Sequence, residues 1–468
     1  MMASVLHPRP IRLPVLTTRR DCLAWAGACL VPAGAARAGP AAAGHALALP
    51  PLGLQQRRLA NGLQVIASVD RSTPTVSVQV WYRVGGKDDP PGRSGFAHLF
   101  EHMMFKGARH LRNEMFDRLT EDVGGQNNAF TAEDMTAYQN EVPANHLERL
   151  LWAEAERMAH LTVDQANFDS ERQVVIEEYR ERVLADPYGR LFNALPTLGF
   201  EAHPYRRPVI GSIEDLQAAT LDDVRRFHAT FYRPDNAVLI VVGHFQPTQL
   251  EAWVDRYFGP LAPPAGPVPR VAVQEPALRA DRLARLHGPK VPLPAIALLW
   301  KGPRAAHADA PALKVASALL SAGDSSRLNE ALVYRSQAAQ AAGFSADLYA
   351  DAGLLGAYAI AASGRPLESL GQALLSQIRR VAHGPLPEAE LAKVRNRLLT
   401  ATVSSRQTPN GRAESIGQAV MLHGDAREAE RELQRLQAVT ADDIRRVLRH
   451  WVLGAHKVTV HYTQGGAA

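Results

Sequence analysis

His98-Leu99-Phe100-Glu101-His102 places two imidazoles and one carboxylate within five residues. On a helix, His98 and His102 stand at i and i+4, so both rings project from one face and can grip one metal ion. Glu101 precedes the second histidine, close enough to polarise a water on that metal. H-x-x-E-H is the reverse of the H-E-x-x-H zinc-protease helix. A helical histidine pair can also be ordinary packing. Against that, Phe96, Leu99, Phe100, Met103 and Met104 supply apolar surface around the polar trio. Gly92 and Ser94-Gly95 read as the loop and helix start before it.

A catalytic zinc usually has three protein ligands and one open position, so a third ligand must come from elsewhere. The best segment is ERQVVIEEY, Glu171 to Tyr179, part of a charged amphipathic helix. Glu171 and Glu178 are i and i+7 and share a face, with Val174 between them. Glu177 and Glu178 face different ways, so only one points at a given site. The other histidines, such as His110, His146, His160 and His244, are scattered and read as ordinary surface or satisfied residues.

The elements that must position these groups belong to a duplicated chain. The 468 residues exceed one ordinary domain, and 46% hydrophobic with 21% charged residues is usual for a globular protein. LQAATLDDVRRFHATFYRPDNAVLIVVG at 216–243 aligns without gaps to LQAVTADDIRRVLRHWVLGAHKVTVHYT at 436–463. Leu216/Leu436, Thr220/Thr440, Asp223/Asp443 and Arg226/Arg446 coincide at an offset of 220. Each copy has a Thr cap, an acidic first turn and then a β-rich run. The expectation is α+β: two homologous domains over 50–258 and 272–468, joined by a Pro/Gly-rich linker over 259–271. Strands are expected at Leu63–Ala67, Val76–Trp81 and Ala237–Val242, and again near Ala295–Trp300 and 340–361. Shifting His98–His102 by 220 lands on Ala318–Ala322, and Glu178 lands on Leu398. The metal site therefore exists once, and the second half must do something else.

Residues 1–38 read as a cleaved export signal. Arg9, Arg12, Arg19 and Arg20 precede a short apolar run, and Ala36-Arg37-Ala38 is an A-x-A site cut after Ala38. Thr18-Arg19-Arg20-Asp21-Cys22-Leu23 loosely matches a twin-arginine signal, so the expected location is periplasmic or secreted. Without this segment 47 Lys and Arg face 46 Asp and Glu, a net +1, which removes the basic charge as a sign of nucleic-acid binding. Both cysteines, Cys22 and Cys29, fall in the leader, so the mature chain has neither thiol catalysis nor disulfides. No later segment reaches transmembrane length.

The HLFEHMMFKG block, the ERQVVIEE run and the N-A-x-T segment at Asn128-Ala129-Phe130-Thr131 together resemble the pitrilysin/insulinase (M16) family of inverzincin metallopeptidases, in its two-domain bacterial branch similar to mitochondrial processing peptidase. The resemblance spans nearly the whole mature chain. It implies one Zn2+ per chain on His98, His102 and Glu178, with Glu101 as catalytic base. It implies that Glu171 supports a ligand from behind, and that Asn128, Ala129, Phe130 and Thr131 form a sheet-edge strand pairing with an extended peptide. Each domain would be a mainly antiparallel sheet packed with helices, the pair forming half of a clamshell. HPYRRP at 203–208 and FYRPDN at 231–236 also match and read as structural.

One part implied by the resemblance is missing. Family members carry an Arg and a Tyr in a second-half run like L-R-x-x-x-x-L-x-Y, which stabilise the oxyanion. Here the run Leu332 to Gln340 holds Val333 and Gln340 at those positions, and the spacing of Arg327 and Arg335 does not favour substitution. The expected function is a zinc endopeptidase acting on unfolded peptides or small proteins, as a dimer. Homodimer and heterodimer with a homologous subunit lacking the zinc motif both stay open. The second reading is a non-catalytic peptide-binding or assembly subunit of the same fold.

Overall fold

The computed structural model describes residues 49–113, 115–262 and 265–465. The expected leader, with Cys22, Cys29 and the expected cleavage site at Ala38, lies outside the described residues, as do Pro263 and Pro264 of the expected linker. Among the described residues, no helix is long and apolar enough to cross a membrane.

The first half runs β1 (Gln55–Arg58), β2 (Gln64–Val69), β3 (Thr75–Tyr82), α1 (Phe96–Met103), α2 (Met115–Glu121), β4 (Gln126–Thr131) and β5 (Thr136–Pro143). It continues through α3 (Leu147–His160), α4 (Gln165–Tyr179), α5 (Gly189–Gly199), α6 (Ile213–Ala218), α7 (Leu221–Phe231), β6 (Ala237–Gly243) and α8 (Pro247–Phe258). The second half gives β7 (Arg282–Gly288), β8 (Ala295–Gly302), α9 (Ala310–Ser321), β9 (Ala339–Leu348), β10 (Gly353–Ala361) and α10 (Leu367–His383). It ends with α11 (Glu388–Ser405), α12 (Pro409–His423), α13 (Glu428–Ala438), α14 (Ala441–Leu448) and β11 (Val458–Gln464). One sheet is ordered β1-β2-β6-β3-β5-β4 and the other β7-β11-β8-β10-β9. Among the described residues, only β2 with β6, and β7 with β11, run parallel. The fold is α+β in two like parts. A shift of 220 carries the first residues of β3, α3, α5 and α7 onto those of β8, α10, α12 and α14.

The repeat does not separate cleanly in space. Helix α12 of the second half covers the first sheet, where Ala413, Ile416, Ala419 and Val420 pack on Ile66, Trp81, Val238, Ile240 and Val242. A Cβ added to Gly417 would approach the Trp81 ring to 2.1 Å, so only glycine admits that contact. Helix α5, its counterpart in the repeat, does the same for the second sheet. Its Leu191 joins Ala295, Ala297, Leu299, Val458 and Val460. Each half thus lends a helix to the other, which is why β3 is buried from Val76 to Tyr82 despite Ser77 and Gln79. Gln79 Nε2 donates to Asn410 Oδ1 at the start of α12 (2.8 Å), and Trp81 Nε1 donates to Gln79 Oε1 (2.9 Å).

A buried polar cluster ties the two halves at one point. Lys87, before α1, lies 2.8 Å from both Asp134 Oδ1 and Asp351 Oδ2. Tyr205 OH donates to Asp134 Oδ1 (2.5 Å) and accepts from the Asp351 amide (3.1 Å), and the Ala350 amide donates to Asp134 Oδ2 (2.9 Å). Asp134 lies in the β4–β5 turn, and Ala350 and Asp351 form the β9–β10 turn. The second half therefore touches both the approach to α1 and the end of β4.

His203 and Lys87 hold the Asp351 carboxyl below the usual carboxylate range. A carboxylate depressed in the folded state adds stability above its unfolded pKa of about 3.9, and loses it as the pH falls through the folded value. Asp351→Asn is expected to be less stable than wild type at pH 7, with the gap closing below about pH 4. Urea unfolding midpoints at the two pH values check this.

Candidate metal centre

Every residue of α1 is buried, so the helix that carries the histidines is a core element. Its start is fixed by Gly95, whose φ of 91° favours glycine, and by Asp89. The Asp89 carboxylate accepts from the amides of Gly95 (2.7 Å) and Ala97 (2.9 Å), which would otherwise be free at the helix N-terminus. Helix α4 packs beside α1, capped at its own start by Asp164, which accepts from the Asn167 amide.

These two helices bring His98, His102 and Glu178 together. The imidazole centroids lie 5.0 Å apart. Glu178 Oε2 lies 3.5 Å from His98 Nε2 and 3.5 Å from His102 Nε2, and one ligand atom from each residue falls within 4.8 Å of the others. Ligands at about 2.0–2.2 Å from a tetrahedral ion sit roughly 3.4 Å from one another, so this spacing fits zinc. It is too long for hydrogen bonds, and both Nε2 atoms are buried without a partner. Nitrogen, nitrogen and carboxylate oxygen form a donor set suited to that ion.

The electrostatics agree. Burial, with His102 beside it, pulls His98 down to about 3, leaving it neutral with lone pairs available. Burial also acts to lower His102, yet the carboxylates of Glu171, Glu178 and Glu101 around it raise it to about 9. The cluster therefore attracts positive charge, whether proton or metal cation. Burial raises Glu178, but His102 and its neighbours outweigh that and hold it below the ordinary carboxylate value.

Glu171 stands behind His102, its Oε2 3.6 Å from Nδ1, with Oε1 held by Lys106 Nζ at 2.8 Å. Glu101 Oε2 accepts from Thr131 Oγ1 (2.7 Å), while Oε1 is buried without a partner. Burial raises the Glu101 pKa. Glu177 turns away and pairs with Arg180 at 3.0 Å. β4, carrying Asn128, Ala129, Phe130 and Thr131, is the edge strand of its sheet, paired to β5. Thr131 and Ala129 point inward and are buried, and the Phe130 ring stands edge-on to Trp81 at 5.3 Å. Val333 packs partly buried against the second core, and Gln340 is exposed. Arg327 pairs with Glu390 and Arg335 with Glu330. Sequence reading passed over Asp89, Lys106 and Arg182. Lys106 stood inside the HLFEHMMFKG block without being assigned a role, and Arg182 stood four residues after Glu178.

Residues 64–212 match the family described as insulinase, peptidase family M16, and residues 218–398 match the peptidase M16 inactive domain. The chain is 33% identical over 343 residues to zinc protease PqqE of Helicobacter pylori, covering 72% of this chain and 76% of that one. It is 24% identical over 403 residues to the probable mitochondrial-processing peptidase subunit beta of Arabidopsis thaliana, covering 84% and 75%. The crystal structure of a protease from Helicobacter pylori superposes with a TM-score of 0.84 at 28% identity, over 88% of this chain and 99% of that one. The periplasmic protease PqqL from Escherichia coli shares the fold, with a TM-score of 0.69 at 19% identity over 90% of this chain and 48% of that one.

A divalent cation that binds only the folded state stabilises it, by about 2.7 kcal/mol at a hundredfold excess over Kd. Zinc is therefore expected to raise the Tm of wild type, and His98→Ala or Glu178→Ala to abolish that rise in calorimetry.

Proposed function

The chain belongs to the insulinase (M16) family of peptidases, and on that premise we propose that it is a zinc-dependent endopeptidase acting on unfolded peptides or small proteins. The observation that carries this reading is the meeting of His98 Nε2, His102 Nε2 and Glu178 Oε2 beside the unpartnered Glu101 Oε1. His98, His102 and Glu178 would hold one Zn2+, which when bound acidifies a water and polarises the scissile carbonyl. Glu101 Oε1 takes the proton of the attacking water and later delivers it to the leaving amine. Its burial increases its proton affinity, which suits a base. The Thr131 hydroxyl occupies Oε2 and so leaves Oε1 for this work. Glu171 stands 3.6 Å behind the Nδ1 of His102 and would orient that ring once the pair closes to hydrogen-bond distance. Asn128, Ala129, Phe130 and Thr131 offer their backbone to an extended peptide, which would add a strand beside β4.

The reading includes a partner. With Val333 and Gln340 where the family carries Arg and Tyr, and with Arg327 and Arg335 tied to carboxylates, the chain works as one half of a clamshell. A homologous subunit lacking the zinc motif supplies the missing pair, and the two chains enclose the peptide. PqqL, of which this chain matches 48%, gives precedent for a protein of twice this length. Export near Ala38, by a twin-arginine route, would place the protein in the periplasm or outside the cell, and PqqL is described as periplasmic. The domain limits at 50–258 and 272–468, with the linker at 259–271, belong to the same proposal. The absent Arg/Tyr pair also favours a second reading, a non-catalytic peptide-binding or assembly subunit.

Glu101→Gln is expected to cut kcat by about 10²–10⁴-fold while zinc stays bound at one per chain, measured by peptide cleavage and metal analysis. A wild-type protein that binds peptide but cleaves none with any partner supports the second reading instead. The chain alone is expected to be nearly inactive and to gain activity with an Arg/Tyr-bearing homologous subunit. Full activity alone, unchanged by Val333→Ala and Gln340→Ala, overturns the partner requirement.

A further inference from the structure

Three carboxylates approach the metal position, and each has its own partner: a hydroxyl donor for one and cations for the other two. Thr131 Oγ1 holds Glu101, Lys106 Nζ holds Glu171, and Arg182 Nη1 lies 2.5 Å from Glu178 Oε1. Thr131 and Lys106 sit inside the motifs that single out this site, whereas Arg182 lies outside all of them. We propose that Arg182 is a positioning residue that pins Glu178 Oε1 and so presents Oε2 alone to His98 and His102. This rests on the reading of the cluster as a zinc site.

The local structure makes such a pin necessary. Glu178 is the penultimate residue of α4, and beyond it the chain widens into a π turn over Arg180–Ala185. Its side chain has three rotatable bonds and is less enclosed than the histidines, being 12% exposed against 1% for His98 and 8% for His102. An unrestrained glutamate at a helix end turns to water or presents both oxygens, and either loses the 3.5 Å approach to the two Nε2 atoms. The Arg182 contact lacks hydrogen-bond geometry, so the guanidinium holds Oε1 as a short-range ion pair. Two effects of Arg182 on a bound cation oppose each other: its charge repels the ion, and its hold on Glu178 favours it. The guanidinium is 40% exposed, so solvent screens the repulsion, while the contact to Oε1 is direct. The hold wins.

Zinc affinity, measured by competition with a chromophoric chelator, tests this without any activity assay. Arg182→Met is expected to weaken zinc binding by roughly 10–100-fold, the usual effect of removing a group that orients a ligand. Arg182→Lys is expected to recover most of the loss, and the Tm of both zinc-free variants to match wild type. Arg182→Met binding zinc as tightly as wild type, or more tightly, overturns the proposal. If Glu178→Gln loses zinc in that same case, the metal site stands and only the role of Arg182 falls. A wild-type protein that binds no zinc removes both.

Discussion

Two imidazole nitrogens and a carboxylate oxygen are buried within one small volume without hydrogen bonds among them, and the surrounding fold has to hold them there. An unsatisfied buried polar atom costs about 1–3 kcal/mol, and the cluster carries several, including both nitrogens of His98. Relaxation by a small rotation of either helix would relieve this and disperse the donors. The wholly buried α1, its cap on Asp89 and the packing of α4 beside it prevent that rotation. A cation fits the arrangement because it satisfies all three donors at once, and the carboxylates around His102, which raise its pKa, favour a positive charge there.

Among the described residues the second half has no such cluster, yet the first half is not independent of it. Helix α12 covers one face of the first sheet, and α5 repays the exchange on the second. The β9–β10 turn reaches Lys87 before α1 and Asp134 after β4. Those contacts fall just before the helix carrying the histidines and just after the strand carrying Thr131. The second half, which matches the M16 inactive domain, thus packs against the segments that flank the other half's groups. A rigid strut between halves is a physical reason for keeping an inert copy.

Much was legible from the chain. The i, i+4 histidines needed only helical geometry, and the 220-residue offset foretold matching elements in both halves because both copies carry the same caps and runs. Glu178 was legible only in part: helical periodicity narrowed the choice to one face but could not say which helix faces α1. Thr131 was singled out for its strand, and its hydroxyl proved to reach Glu101, a contact between residues thirty apart. Arg182 drew no attention, because a charge four residues past a glutamate is commonplace on a solvated helix.

The sequence by itself determined the α+β duplication and the single helix that carries the H-x-x-E-H group. These depend on local periodicity and on residue identity, which the order of residues states directly. Tertiary structure alone decided that α5 and α12 trade places between sheets, that the β9–β10 turn joins the halves, and that Glu178 meets both histidines through one oxygen while Arg182 lies against the other. Such facts depend on which faces meet in space. Helices that pack across a duplicated chain leave the same apolar pattern whether they cover their own sheet or the other's.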